Sequence, residues 1–496
     1  SEPVNNINDS DSVMVNIDRL EEQLRQESIA QTAATKQSNE LQINSTESTK
    51  VEDNQIEPEE NIELAKQDKK VAFLSDEEFK IERILLILMR DDIEEDDEQE
   101  SDITVEEFLK RCNEGERDFT GINLAKVDLN EKSFSGYGNL NLSQANLSRA
   151  KLRKASLRYV NLSGANLRGS ELCEADLNYI NLSGANLRES ELCEAQLNGV
   201  NLNNANLTNA DLRKAKMNEA KLGKANLRNA NLSLANLQRA NLSEANFILA
   251  NLSGADLSGQ ADLNHANLSQ ANLRGANLRK AKLINADVSN ANLSNANLLE
   301  ANLEGANLRC VKLQEAIYSE ATIFPKDFDP VKAGAYLIAP NSSLRNANLA
   351  GTDLSQVNLS GAYLEGANLS KANLSSARLL QAHLLNANLN EANLEGANLT
   401  AANLREAKLM QANLWATNLA GSDLRQTDLE NVLNISRANL SGANLTGANL
   451  LGVGLGSINL SGANLSGANL CGTQLSGANL SGANLTSADL RGASLT

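Results

Sequence analysis

The chain has 496 residues, 41% of them apolar but only 3% aromatic, with 2 His, 5 Cys and a formal net charge of -18. Two imidazoles leave no basis for a His-built zinc site or imidazole catalysis, and so few aromatics leave leucine and alanine to fill any core. The cysteines, at 112, 173, 193, 310 and 471, are odd in number and scattered, so they read as five reduced thiols in a cytoplasmic protein rather than a disulfide framework. The opening residues carry no secretory signature. The longest apolar run, Ile84 to Met89, is far short of the roughly 20 residues that span a bilayer, so no integral membrane segment is expected.

Charge divides the chain. Residues 1 to 118 sum to about -21, which leaves about +3 for residues 119 to 496. Residues 1–70, rich in Ser, Asn, Gln, Glu and Thr without periodicity, read as a disordered polar arm. Residues 71–118 read as two short helices joined by an acidic linker. Ser75 with Glu78 forms a capping box, and Ile81, Ile84, Leu85 and Leu88 fall on one face of a helix ending near Arg90. That stripe is a candidate partner-binding element, or it packs on the second helix and the leucine-rich array beyond it. The acidic run Asp91 to Glu100 repels itself into a linker. Thr104 with Glu107 opens the second helix, whose stripe is Val105, Phe108, Leu109 and Cys112.

From Phe119 onward a leucine recurs every five residues, preceded two positions earlier by alanine. A helix would smear this spacing over all faces and a strand would alternate it, so the pattern indicates a solenoid that turns a corner every five residues. Leu and the Ala before it point inward, and the other three positions point out. Four sides close a coil of 20 residues, and Tyr159 to Asn178 and Tyr179 to Asn198 are near-copies at that spacing, as if one coil were duplicated whole. The predicted fold class is an all-β solenoid with coils stacked at roughly 4.8 Å.

These units, such as Ala165-Asn166-Leu167 and Ala185-Asn186-Leu187, resemble the A(D/N)LXX motif of the pentapeptide-repeat proteins, and the resemblance covers nearly all of residues 119 to 496. It implies a right-handed quadrilateral β-helix. The junction Val105 to Leu124 is similar to the helix-capped start of many cyanobacterial members. Family membership implies binding rather than catalysis, with no cofactor. Known roles in the family include DNA-mimicking inhibition of gyrase and regulation or scaffolding in photosynthetic bacteria, so the periphery of a thylakoid membrane is an alternative location to the open cytoplasm.

Followed by hand, the register gives a first stretch over 119–323, an excursion over 324–343 and a second stretch over 344–496, in all about 72 units or 18 coils. If all were collinear they would make a rod of roughly 86 Å at the inter-strand spacing. Three short slips, at 135–141, 258–262 and 430–434, read as corner bulges. The excursion carries Pro325, Pro330 and Pro340 and is expected to leave the coil as a loop, either recognising a partner or tolerated as an insertion.

Candidate chemistry is sparse. The duplicated coil places Glu171, Cys173 and Glu174 beneath Glu191, Cys193 and Glu194, so these groups could share a cation; the alternative is a charge ladder neutralised by Arg153, Lys154, Arg213 and Lys214. Arg168, Arg188 and Arg228 share one column as partner-binding candidates. The acidic run is expected to lie over this early basic surface until a partner displaces it. A convex surface over a filled interior offers no catalytic cleft, so an enzyme is not expected. Two classes of function remain: a protein-binding scaffold or adaptor, and a DNA-mimicking regulator of gyrase, disfavoured because the array is near neutral; an assembly factor for photosynthetic membranes rests on the resemblance alone. Binding of nucleic acid is not expected. The last coil leaves Leu485, Leu490 and Leu495 uncovered, which suggests a homodimer through that end.

Overall fold

The computed structural model describes residues 101–495. The polar arm, the predicted helix carrying Ile81, Ile84, Leu85 and Leu88, and most of the acidic run lie outside the described residues.

The first regular element is helix α1, Val105–Asn113. Thr104 caps it by accepting from the Glu107 N–H at 3.2 Å, with Glu106 and Glu107 in the first turn and Lys110 and Arg111 in the last, as the helix dipole favours. Its Phe108 and Cys112 are fully buried, and the Phe108 ring lies 4.9 Å from Phe119 and 5.9 Å from Phe134. The helix thus closes one end of the apolar interior that begins at Phe119.

From Asp118 the chain forms four-sided coils joined by parallel bridges, such as Asn161↔Asn181 and Asn181↔Asn201. Each side is a single bridged residue rather than an extended strand, because a corner follows within five residues. In each corner the N–H of the inward alanine closes on the preceding leucine carbonyl, as Ala165 does on Leu162 at 3.1 Å. The residue before that alanine sits in the left-handed region, at φ 66° in Gly164 and 58° in Lys154. Inward side chains are sealed: Leu227 and Ala225 are both at 0% exposure. Where serine replaces the alanine, at Ser170 and Ser190, its hydroxyl donates to the Leu167 and Leu187 carbonyls at 2.8 and 2.7 Å, so neither of these hydroxyls is stranded. The bridge partners are 20 residues apart over most of the array. They are 23 apart at Asp118↔Asn141 and 21 apart at Asn241↔Asp262 and Asn413↔Asn434, where the sequence carries its three short slips.

The excursion differs from the expected loop. Its end returns to the coil as strand β2, Tyr336–Leu337, which pairs in parallel with β1, Ile317–Tyr318. Between them Phe324 and Phe328 stack at 5.5 Å, and Phe324 meets Tyr318 edge-on at 5.4 Å, so aromatic rings close the lower end of the first interior. Nor does one interior run the whole length. The first apolar core runs from Phe108 to Ala335. The second contains Leu344 to Leu475 together with Leu299, Ile317 and Ile338. Leu299 and Ile317 are outward positions of the first array, yet each is 1% exposed. The second array therefore seals its upper end against the flank of the first, so the two stretches, whose collinearity the sequence leaves open, are two abutting solenoids.

Candidate functional site

The outward residue just before each leucine was expected to face solvent. It is instead half-buried and hydrogen-bonded along the column. The Asn161, Asn181 and Asn201 Nδ2 groups donate to the Oδ1 of Asn141, Asn161 and Asn181 at 2.9, 3.1 and 3.1 Å. Each Oδ1 also accepts a backbone N–H two residues on, as Asn181 does from Ser183 at 3.2 Å. These bonds fix each corner, so the recognition surface is left to the two residues after each leucine and to columns where asparagine is replaced.

One such column is Lys151, Glu171, Glu191 and Asp211, bridged in that order. Beside it the expectation of reduced thiols is overturned: Cys173 and Cys193 form a disulfide. Stacking equivalent positions of the duplicated coil sets their Cα atoms 4.6 Å apart, within the range a disulfide spans. Three of the nearby acids are engaged as a charge ladder, whereas Glu171 and Glu191 make no ion pair among the described residues. Glu174 meets Arg153 at 3.5 Å and Lys154 at 3.7 Å, Glu194 meets Lys214 at 3.0 Å, and Asp211 meets Arg213 at 2.6 Å. Among the described residues no group of three or more His, Cys, Asp or Glu is arranged to hold a metal ion. The remaining thiols are Cys112, Cys310 and Cys471. Burial pushes the Cys112 thiol up, and a hydrogen bond with Asp489 pushes up Cys471, so neither is poised as a thiolate.

The early basic surface is also largely taken by the array itself. Arg158 faces Asp176 at 3.8 Å, and Arg168 and Arg188 share Glu189 at 3.7 and 3.5 Å. Arg228 is exposed and makes no ion pair among the described residues. Bases on one coil are answered by acids on the next, so less of this face is uncommitted than the linear sequence suggests; the acidic run expected to cover it lies outside the described residues.

A feature not singled out from sequence lies on one corner edge. Tyr159 and Tyr179, one coil apart, are 60% and 58% exposed, with rings 6.4 Å apart and 11° from parallel. The next position down is Gly199, where an added Cβ would come 2.6 Å from Tyr179 Cδ1, so only glycine lets that ring lie over the edge. One coil further, at Glu219, the same edge is flanked by Lys216 and Lys221, both exposed and without an ion pair among the described residues. The 20-residue spacing of the two tyrosines was the available signal. Of the dimer candidates, Leu495 is 58% exposed, and Leu485 and Leu490 are half-buried. The convex surface does carry clefts, one of about 270 Å³ beside Arg279 and Pro340 where the two arrays meet. No helix among the described residues is long and apolar enough to cross a membrane.

The family model described as pentapeptide repeats (8 copies) matches residues 139–317, 342–452 and 458–496. No curated protein matches the chain. Among solved structures it is similar to HetL, a pentapeptide repeat protein involved in heterocyst differentiation regulation from the cyanobacterium Nostoc sp. strain PCC 7120, at 24% identity over 79% of this chain and 96% of that one, with a TM-score of 0.13. It is similar to the pentapeptide repeat protein alr5209 from the same Nostoc strain at 37% identity over 25% of this chain and 84% of that one, TM-score 0.15. It is also similar to QnrB1, a plasmid-mediated fluoroquinolone resistance protein, at 16% identity over 39% of this chain and 93% of that one, TM-score 0.24. With every TM-score this low, the repeat match carries the assignment.

Proposed function

We propose that this chain, which belongs to the pentapeptide-repeat family, is a non-catalytic scaffold or adaptor that holds a protein partner on the Tyr159, Tyr179, Lys216 and Lys221 edge. The observation that carries this reading is that two exposed aromatic rings and two uncommitted lysines share one edge, whereas the neighbouring bases Arg153, Lys154, Arg168 and Lys214 are answered by acids of the array itself. Exposed tyrosine on a rigid support is a typical binding anchor, and free lysines beside it select a partner with an acidic surface. DNA mimicry is the weaker reading, because it needs uncompensated negative charge, whereas Glu174, Glu194 and Asp211 are paired with bases.

Affinity capture from the native cell tests the edge, with the full chain as bait beside variants carrying Tyr159→Ala with Tyr179→Ala, or Lys216→Glu with Lys221→Glu. Loss of the same captured protein in both folded variants is expected; undiminished capture by both would remove this edge from the proposal. The proposal includes a cytoplasmic location and association of two copies through Leu485, Leu490 and Leu495. Light scattering checks the latter: a dimer should dissociate with Leu490→Arg, and a monomer at micromolar concentration refutes it.

A further inference from the structure

The columns of parallel bridges that begin at Asp118 stop at Ile323 and Leu337 and resume at Ser343↔Tyr363. Among the described residues no backbone hydrogen bond joins residues before Ile338 to residues after it. Ile338 itself donates upward to the Tyr318 carbonyl at 2.7 Å, whereas Asn341 donates downward to Ser360 at 2.9 Å. The chain therefore changes solenoid within Ile338, Ala339 and Pro340, a span preceded by Gly334 in the left-handed region at φ 94° and ended by a proline that lacks an N–H.

Side chains, not a ladder, hold the two solenoids together here. Arg279 reaches across from the first array with its side chain 17% exposed, 3.5 Å from Asp353 Oδ2, and its Nη1 donates to the Ser355 carbonyl at 3.1 Å. Glu300 on the first array braces the same guanidinium at 3.3 Å. Asn297 Nδ2 donates to the Asp353 carbonyl at 3.3 Å, and Asn348 Nδ2 donates to Glu315 at 3.2 Å. Beneath these bonds lie the Leu299, Ile317 and Ile338 side chains, and beside them opens the cleft of about 270 Å³.

We propose that this joint is a hinge and that Arg279 is its latch, so that the two solenoids change their relative orientation when the Arg279–Asp353 contact is released. On either side nearly every side of a coil is bridged to the next, and among the described residues the place where all four columns stop together coincides with a three-residue crossing. Hinges are such short segments between rigid bodies. The contacts that span it are a few polar side-chain pairs and a small apolar patch, which belong to the low-stability end of a structure. A partner that supplies its own carboxylate to Arg279, or raised ionic strength, shifts the joint toward the released arrangement. The inference stands apart from the binding edge, which lies wholly on the first array.

The test uses the full chain with Cys310→Ser and Cys471→Ser, spin-labelled at Lys221→Cys and Lys371→Cys, one position on each array. Pulsed electron resonance should give a narrow distance distribution for this background and at least twice the width after Arg279→Ala. Asp353→Asn guards against misfolding, because asparagine is the usual residue of that column and Asn373 can still donate to its Oδ1. It too should broaden the distribution, while amide exchange stays slow over residues 364–399 and quickens over 353–360. An unchanged width in Asp353→Asn would overturn the latch. Faster exchange throughout the second array would overturn it as well, by showing that Asp353 supports the fold rather than the angle.

Discussion

Asn181 donates its Nδ2 hydrogen to the Oδ1 of Asn161 at 3.1 Å, and this bond gives the whole column a direction. Each asparagine-to-asparagine bond of this kind points toward the earlier coil. Aspartate, which accepts but does not donate, stands at the heads of such runs: Asn141 donates to Asp118, Asn307 to Asp287, Asn373 to Asp353 and Asn449 to Asp428. Lysine, which donates but does not accept, follows Asn201, Asn292 and Asn388 as Lys221, Lys312 and Lys408.

Replacement within a run should accordingly depend on chemistry rather than size. Asn181→Asp keeps both acceptor roles but faces Asn161 Oδ1 with a carboxylate, so local stability should fall by about 1–2 kcal/mol, roughly one hydrogen bond plus an unfavourable contact. Asp353→Asn, at a head, should be nearly neutral for its own ladder. Amide exchange over residues 161–201 measures the first change, and equal protection in wild type and Asn181→Asp would refute the directional reading.

Acid should loosen the join between α1 and the array. Asp118 accepts from Thr120 Oγ1 at 2.6 Å, from the Thr120 N–H at 3.2 Å and from Asn141 Nδ2 at 3.0 Å, and these bonds hold its carboxyl below the usual range. Glu116 is lowered in the same way by its hydrogen bonds with Arg111. A carboxyl depressed on folding contributes stability that is present above its unfolded pKa and lost as pH falls through the folded one, so the effect should appear below about pH 4. Exchange or near-ultraviolet signals from residues 105–134 should report it, and Asp118→Asn should reduce the pH dependence.

Thiol counting tests the cross-link. Denatured without reductant, the chain should react at Cys112, Cys310 and Cys471 only, and at all five cysteines after reduction. The spacing of Cys173 and Cys193 is imposed by the bridges Glu171↔Glu191 and Asp176↔Gln196 on either side, so reduction should leave the circular dichroism unchanged. Five reactive thiols in the unreduced protein would restore the sequence-based expectation.

Leu227 is completely buried between coils, and Leu227→Ala should cost about 2–5 kcal/mol as a core truncation. Because each coil contacts only its neighbours, the loss should spread along a few coils instead of unfolding the chain. Exchange quickening over residues 207–247 with protection retained over 364–399 is the expected pattern; uniform loss would mean the arrays fold as one unit.

The periodic part of this architecture was legible because a five-residue repeat leaves only one geometry in which Ala225 and Leu227, and every pair like them, reach an interior. The slips were legible for the same reason, since each shifts the leucines by a countable number of residues. What was hidden depends on contacts between coils or between arrays. Asn181 looks like any polar surface residue until the coil above supplies Asn161. Phe324 and Phe328 lack a periodic place, so nothing in the order of residues says that they plug a core. Leu299 reads as one more outward residue beside the inward Leu298, although it is buried by an array that begins some forty positions later. The twenty-residue return places Cys173 beneath Cys193, but an odd, scattered set of five cysteines argues for free thiols, and only the 4.6 Å between their Cα atoms shows the bond.

That return has a consequence for inheritance. The sequences of the two cysteine-bearing coils differ at only three of their twenty positions, as expected of a copied segment. In most proteins a covalent staple requires two independent mutations at sites that happen to be neighbours. Here a lone cysteine in an outward column, once its coil is copied in tandem, has its own replica for a neighbour 4.6 Å away. A single substitution and a single duplication thus suffice, and any other outward residue is multiplied by the same event into a matched pair, as Tyr159 and Tyr179 were.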